Sequence, residues 1–212
     1  MVNVEKNDFV ELKYTGYANG DMFDSNIEED LKKSGTDIAP KQVIVKIGHG
    51  MIVKGLDIAL EGKEIGKEYD VSFDSKDGFG PRRPELVRTI PLNEFTSKNM
   101  TPQPGMLFTL DEHLVKIIAV SGARVIADFN TPMAGKDLRY KFMITRKIDD
   151  ENEKVTTTFL FLLRFAPEFE IKDKIIVKGP SILEPIVKVY SPKFKDFVGK
   201  ELGFELKELP KE

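Results

Sequence analysis

Few side chains in this 212-residue chain could do covalent or metal chemistry, since it has no cysteine and only two histidines, His49 and His113. Without cysteine there is neither a disulfide nor a thiol nucleophile. No G-x-S-x-G, Walker lysine loop, dinucleotide fingerprint or H-E-x-x-H occurs. Asp21, Asp24, Asn26 and the run Glu28 to Asp30 have the composition of a calcium loop. Phe23 stands where such a loop needs an oxygen ligand, so a solvated acidic loop is the better reading. His49, between two glycines, reads as a loop residue. What remains is apolar. Ile52, Val53, Leu56, Ala59 and Leu60 are spaced to fill one face of a short helix. Ile52 and Val53 come at its N-terminal end, where they would face a cavity.

The elements around these residues follow from their patterning. Val43, Val45 and Ile47 alternate as a half-buried strand. Gly48 and Gly50 break it, because glycine takes positive φ without steric cost. Gly62 is placed to stop the helix. Tyr69, Val71 and Phe73 alternate again, and that run ends in the turn Gly78-Phe79-Gly80-Pro81. Upstream, Val10, Leu12 and Tyr14 give a strand with one buried face. Asn19-Gly20 is a hairpin turn, with Met22-Phe23-Asp24 on the return strand. Residues 26–41 are polar, with a short helix at Glu28 to Lys33.

The pattern IGxGxxVxGLxxALxGxxxG from Ile47, followed by Gly-Phe-Gly, resembles the FKBP-type peptidyl-prolyl cis-trans isomerases and, among them, the long SlyD-like branch. Tyr14, Phe23-Asp24 and MAGKDLRYKF (Met133 to Phe142) extend the match. The resemblance implies an α+β fold, a twisted antiparallel half-barrel wrapped on a short helix. It implies a prolyl pocket formed by Tyr14, Phe23, Val43, Ile52, Val53, Leu56, Phe79 and Tyr140. The backbone N–H of Val53 would bind a substrate carbonyl, and Asp24 would orient Tyr14 or polarise the substrate. No cofactor and no metal is implied, since the reaction breaks amide resonance by rotation and forms no bond to substrate. Two positions depart from the family pattern: Leu56 replaces a frequent tryptophan, and Phe79 replaces a usual tyrosine and so lacks its hydroxyl. The histidine- and cysteine-rich tail of many SlyD proteins is also missing.

Beyond Pro84 the text changes. Val87 to Pro91 reads as a strand, Pro91 to Asn93 as the start of a polar connection, and Leu114 to Val120 with Arg124 to Phe129 as a hairpin about Ser121-Gly122. Leu138, Tyr140, Phe142 and Ile144 then alternate as a returning strand. The resulting division is an isomerase domain over 1–84 plus 131–151, an all-β insert-in-flap domain over 85–130, and a C-terminal α+β domain over 152–212. Val87, Ile90, Phe95, Met100, Met106 and Phe108 would either capture unfolded chain or fill the insert's own core. In the last domain Phe159 to Phe165 reads as a strand buried on both faces, and Ile175 to Val177 and Ile186 to Val189 as further strands. Ser191-Pro192 reads as the start of an amphipathic helix stopped at Gly203.

Apolar residues make up 41% and charged residues 32% of the chain, with a net charge of −3. Signs are interspersed, so no basic footprint points to nucleic acid or an anionic membrane. No apolar run approaches the roughly 20 residues that span a bilayer, and the first residues lack a signal-peptide core. The expectation is a cytoplasmic isomerase and chaperone. Its partners would be unfolded or nascent polypeptides with X-Pro bonds, and it could form a homodimer through the C-terminal domain. The alternative is a non-catalytic binding module on the same scaffold.

Overall fold

The computed structural model describes residues 3–35, 38–110 and 113–207; residues 208–212, the end of the expected C-terminal domain, lie outside them. Strand β1 (Phe9–Ala18) buries Phe9, Val10 and Leu12. Asn19 and Gly20, both at positive φ, turn it into β2 (Asp21–Ser25). Positive φ at both central residues matches the right-handed twist of the flanking strands. After α1 (Glu28–Lys33), β3 (Val43–Lys46) pairs antiparallel with the first half of β1, Leu12 opposite Val43. Then come α2 (Lys54–Leu60) and β4 (Glu68–Phe73).

The chain next builds a four-stranded sheet from β5 (Val87–Pro91), β6 (Leu107–Leu110), β7 (His113–Ser121) and β8 (Arg124–Asp128). It returns as β9 (Leu138–Lys147), which joins the first sheet in the order β2-β1-β9-β4, with β3 also on β1. This is the curled antiparallel half-barrel of an α+β protein. Two compact units result: Met1–Thr15, Asp24–Asp70 and Tyr140–Glu212 in one, Gly16–Phe23 and Val71–Arg139 in the other.

The four-stranded sheet has the order β5-β8-β7-β6, all antiparallel, and β7 turns into β8 around Gly122. A short helix α3 (Asn93–Thr96) occupies the expected polar connection. It forms because Phe95 drops fully buried onto Val115, Ile117, Val125 and Ala127. Ile90, Met100 and Phe108 pack against that cluster, so these residues are core and not a capture surface. Of the expected capture set only Met106 is exposed. Open apolar area lies instead on Leu107, Leu114, Ile118 and Ile126, the alternate positions of the same strands.

The C-terminal segment corrects three expectations. The run from Phe159 is helical through Leu163, as the end of α4 (Glu151–Leu163), and not a doubly buried strand. Its cause is the acidic cluster before it: the Asp150 side chain accepts from the Glu153 N–H at 2.7 Å and caps the first turn. Phe159 then meets Phe194 and Phe169 at ring distances of 4.4 and 5.5 Å, and this packing overrides the strand preference of a Thr- and Phe-rich run. A hairpin of β10 (Glu168–Ile171) and β11 (Ile175–Gly179) follows, as expected for 175–177. Ile186 to Val189 and Ser191-Pro192 both fall inside one helix, α5 (Leu183–Val198). Ser191 is held there by Leu202, whose N–H donates to its Oγ at 3.0 Å. Gly199, at φ +77°, ends this helix. Gly203 lies in β12 (Leu202–Leu206), which pairs parallel with β11; a Cβ there would come within 2.8 Å of Ile176.

Candidate active site

The glycine elbow before α2 has the geometry its sequence predicts, with Gly48 at φ +80° and Gly50 at +65°. Asp57, one turn into the helix and nearly buried, holds it in place. Its two carboxylate oxygens accept the N–H groups of Gly48 and Gly50 at 2.8 and 2.9 Å. Charge-assisted bonds of this length fix backbone strongly. The carboxylate thus sets the entry to the helix where Ile52 and Val53 lie half-buried, with Leu56 fully buried behind them. The Val53 N–H has no acceptor among the described residues. Sequence reading missed Asp57, and its only trace was a carboxylate seven to nine residues after the paired glycines.

In the same unit Tyr14 Oη donates to Asp24 Oδ2 at 2.9 Å, and the Tyr14 and Tyr140 rings lie 5.9 Å apart. Burial, reinforced by the Asp24 charge, pushes both phenols above the ordinary tyrosine range. They therefore remain hydrogen-bond donors at neutral pH. Asn26 anchors this corner: its side-chain oxygen accepts the Tyr14 N–H at 2.8 Å, and its amide donates to the Leu12 and Lys41 carbonyls. What reads as a polar excursion thus supplies a nearly buried clamp on the strand carrying Tyr14. Val43 sits half-buried on β3, opposite Leu12. In the other unit Phe23 and Phe79 meet edge-to-face, ring centroids 6.0 Å apart, and Phe79 is 45% exposed.

The expected site residues therefore form two clusters, a carboxylate–phenol corner with an apolar helix entry, and an aromatic pair. Comparison with known proteins identifies the scaffold. The family model described as FKBP-type peptidyl-prolyl cis-trans isomerase matches residues 2–96. A short-type peptidyl-prolyl cis-trans isomerase of Methanocaldococcus jannaschii is 30% identical over 148 residues, covering 68% of this chain and 94% of that protein. The chain belongs to the FKBP-type peptidyl-prolyl cis-trans isomerase family. A second model, described as FKBP26, IF domain, matches residues 88–133 of this FKBP-type chain. The SlyD isomerase of Escherichia coli strain K12 is 34% identical over 97 residues, 44% of this chain and 49% of its own length. That of Treponema pallidum is 30% identical over 118 residues, covering 54% and 66%. The chain thus spans about half the length of the first SlyD relative and nearly all of the short-type one.

One feature of this FKBP-type chain lies outside the expected pocket. His49 is no free loop residue. Its ring lies 4.8 Å from that of Phe197 on α5, and its Nε2 is 2.9 Å from Asn7 Oδ1. Beside it the buried Lys46 ammonium donates to the Asp196 carbonyl at 3.1 Å and sits over the Phe197 ring. Burial, and then the Lys46 cation, hold the His49 imidazole below the ordinary histidine range. Spacing of about 150 residues between these partners left no signal in the sequence. Among the described residues no helix is long and apolar enough to cross a membrane.

Proposed function

We propose that the chain catalyses prolyl isomerisation in unfolded or partly folded polypeptides and holds those clients while it does so, in the cytoplasm. Rotation about the prolyl amide faces a barrier of about 18–20 kcal/mol, because planar resonance is lost. An enzyme lowers it by binding the twisted amide better than either planar form. The twisted form is the less charge-separated one, so apolar walls favour it. Tyr14, Phe23, Val43, Ile52, Val53, Leu56, Phe79 and Tyr140 are assigned to those walls. The free N–H of Val53 takes a substrate carbonyl. Asp24 fixes the Tyr14 hydroxyl, and it is the observation that carries the reading: a scaffold that merely gripped apolar chain would not need a carboxylate bonded to a half-buried phenol.

Clients are assigned to the open apolar face of the four-stranded sheet, within 85–130. Leu107, Leu114 and Ile118 border a cavity of about 410 Å³ there. The remaining parts, 1–84 plus 131–151 and 152–212, are the isomerase domain and a C-terminal domain. A homodimer through the latter is supported by Leu160, Phe165, Ile182 and Val189, which remain exposed. A full-length monomer in sedimentation would contradict it.

Proline-containing peptides followed by magnetisation-exchange NMR test the catalytic reading. Asp24→Ala removes a hydrogen bond to a charged group, worth about 1.5–3 kcal/mol, so kcat/KM should fall about tenfold or more with the fold intact. Full activity in both Asp24→Ala and Leu56→Asp would refute the site.

A further inference from the structure

We propose that a cavity beside Phe79 is a subsite for an acidic side chain adjacent to the client's proline, so that clients with Glu or Asp next to the X-Pro bond are preferred. The inference rests on the prolyl-isomerase reading, with Phe79 at the substrate. The cavity has a volume of about 520 Å³ and is bordered by Phe79, Arg83, Leu86, Arg88, Phe129 and Thr131. Its two guanidiniums are the distinctive feature. Among the described residues neither Arg83 nor Arg88 has an ion pair or a side-chain hydrogen bond. Neighbouring Arg82, by contrast, is spent on Asp128 at 2.6 Å. Glu85 is the only acidic residue in the segment Pro81–Pro91 that carries Arg82, Arg83 and Arg88, in a chain whose net charge is −3.

The two free arginines are also held in place. Asn130 grips Arg83 from both sides, its Oδ1 accepting the Arg83 N–H at 2.8 Å and its amide donating to the Arg83 carbonyl at 3.0 Å. The Phe129 N–H donates to the Leu86 carbonyl at 2.9 Å. The Arg88 guanidinium lies over the Phe129 ring, 5.3 Å from its centroid. Stacking of this kind limits the rotamers of Arg88 while leaving its N–H edge available. Fixed backbone and a stacked guanidinium reduce the ordering cost of binding. A carboxylate is the ligand that matches two unsatisfied planar forks, since each can donate a bidentate pair to it. Because both arginines are exposed, the gain is modest and screened by salt.

The test uses blocked, C-terminally amidated peptides, identical except for Glu or Gln placed immediately before or after the proline. Amidation removes the terminal carboxylate as a second source of the same chemistry. With the full chain at low salt, one Glu peptide should be turned over about three- to tenfold faster in kcat/KM than its Gln twin. The ratio should shrink towards one in about 0.5 M salt. In Arg83→Gln/Arg88→Gln it should be near one at low salt, and Arg83→Lys/Arg88→Lys should keep part of it. A ratio of one in the native chain at both positions, or an undiminished ratio in the glutamine variant, would overturn the subsite. Fluorescein-labelled versions of the same peptides, followed by anisotropy, read the preference without turnover, and equal affinities for Glu and Gln at low salt overturn the subsite. A Glu preference in binding with no turnover of any peptide would sustain the subsite and sink the isomerase reading instead.

Discussion

The four-stranded sheet over residues 87–128 and the three-stranded sheet over 168–206 are built to opposite plans. In the latter, Ile175 and Val177 join Val155, Phe159, Val187, Phe194 and Leu202 in a core supplied by two helices. On the other face β10 and β11 carry Glu168, Glu170 and Lys178 around a half-buried Ile176, with Glu170 paired to Lys178 and Glu168 to Lys207 just beyond β12. In the former, Val115, Ile117, Val125 and Ala127 are buried, but the alternating residues Leu114, Ile118 and Ile126 are apolar too and stay exposed. A strand's period of two offers one face to a core and one to solvent. Filling the solvent face with charge makes a stable module, and filling it with leucine and isoleucine makes a surface that something else must cover.

The largest effect that could break this contrast is on stability. Phe159→Ala empties the centre of the C-terminal core and should cost about 3–5 kcal/mol, read as a fall in the urea midpoint. A cost below about 1 kcal/mol would mean that the core is not where the structure puts it. On the open face the opposite balance is expected. Leu114→Ser with Ile118→Ser should change stability by no more than about 0.5 kcal/mol each. The same pair should slow the catalysed refolding of a proline-limited protein several-fold while sparing a short peptide. Equal loss on both substrates would remove the functional half of the contrast.

The smallest expected effect concerns the joint between β3 and α5. His49 is held below its ordinary range, so the unfolded chain binds its proton more tightly than the folded one. Its contribution is therefore fully present above the unfolded pKa, about 6.5. It is lost as pH falls from there towards the lowered folded value. The midpoint of urea unfolding should drop between pH 7 and pH 5.5, and the drop should shrink in His49→Gln. A drop of the same size in the variant would place the titration elsewhere.

How much of this was legible in the sequence depends on the range of the forces involved. Local rules sufficed for β1 to β4, for the positive φ of Gly48 and Gly50, and for the Asn19-Gly20 turn. They failed where partners lie far apart. Nothing near Phe159 says that Phe194 will pack on it, and the apolar run passes for a strand until that contact is known. Pro192 inside α5 misleads in the same way, because the general rule places proline at a helix start. The apolar residues and Asp24 proposed for the site come from the resemblance to a family. Asp57 and Asn26 were not legible, since both act on backbone N–H groups, and such contacts leave no side-chain pattern.

Isomerisation of a short peptide and refolding of a proline-limited protein, measured side by side on the chain with residues 85–130 replaced by a short loop, test the central claim most directly. A peptide needs only the prolyl site, whereas a protein client gains from being held beside it at raised effective concentration. The account predicts that peptide turnover largely survives while catalysed refolding falls by about tenfold or more. An equal fall in both, or refolding that persists undiminished, would contradict it.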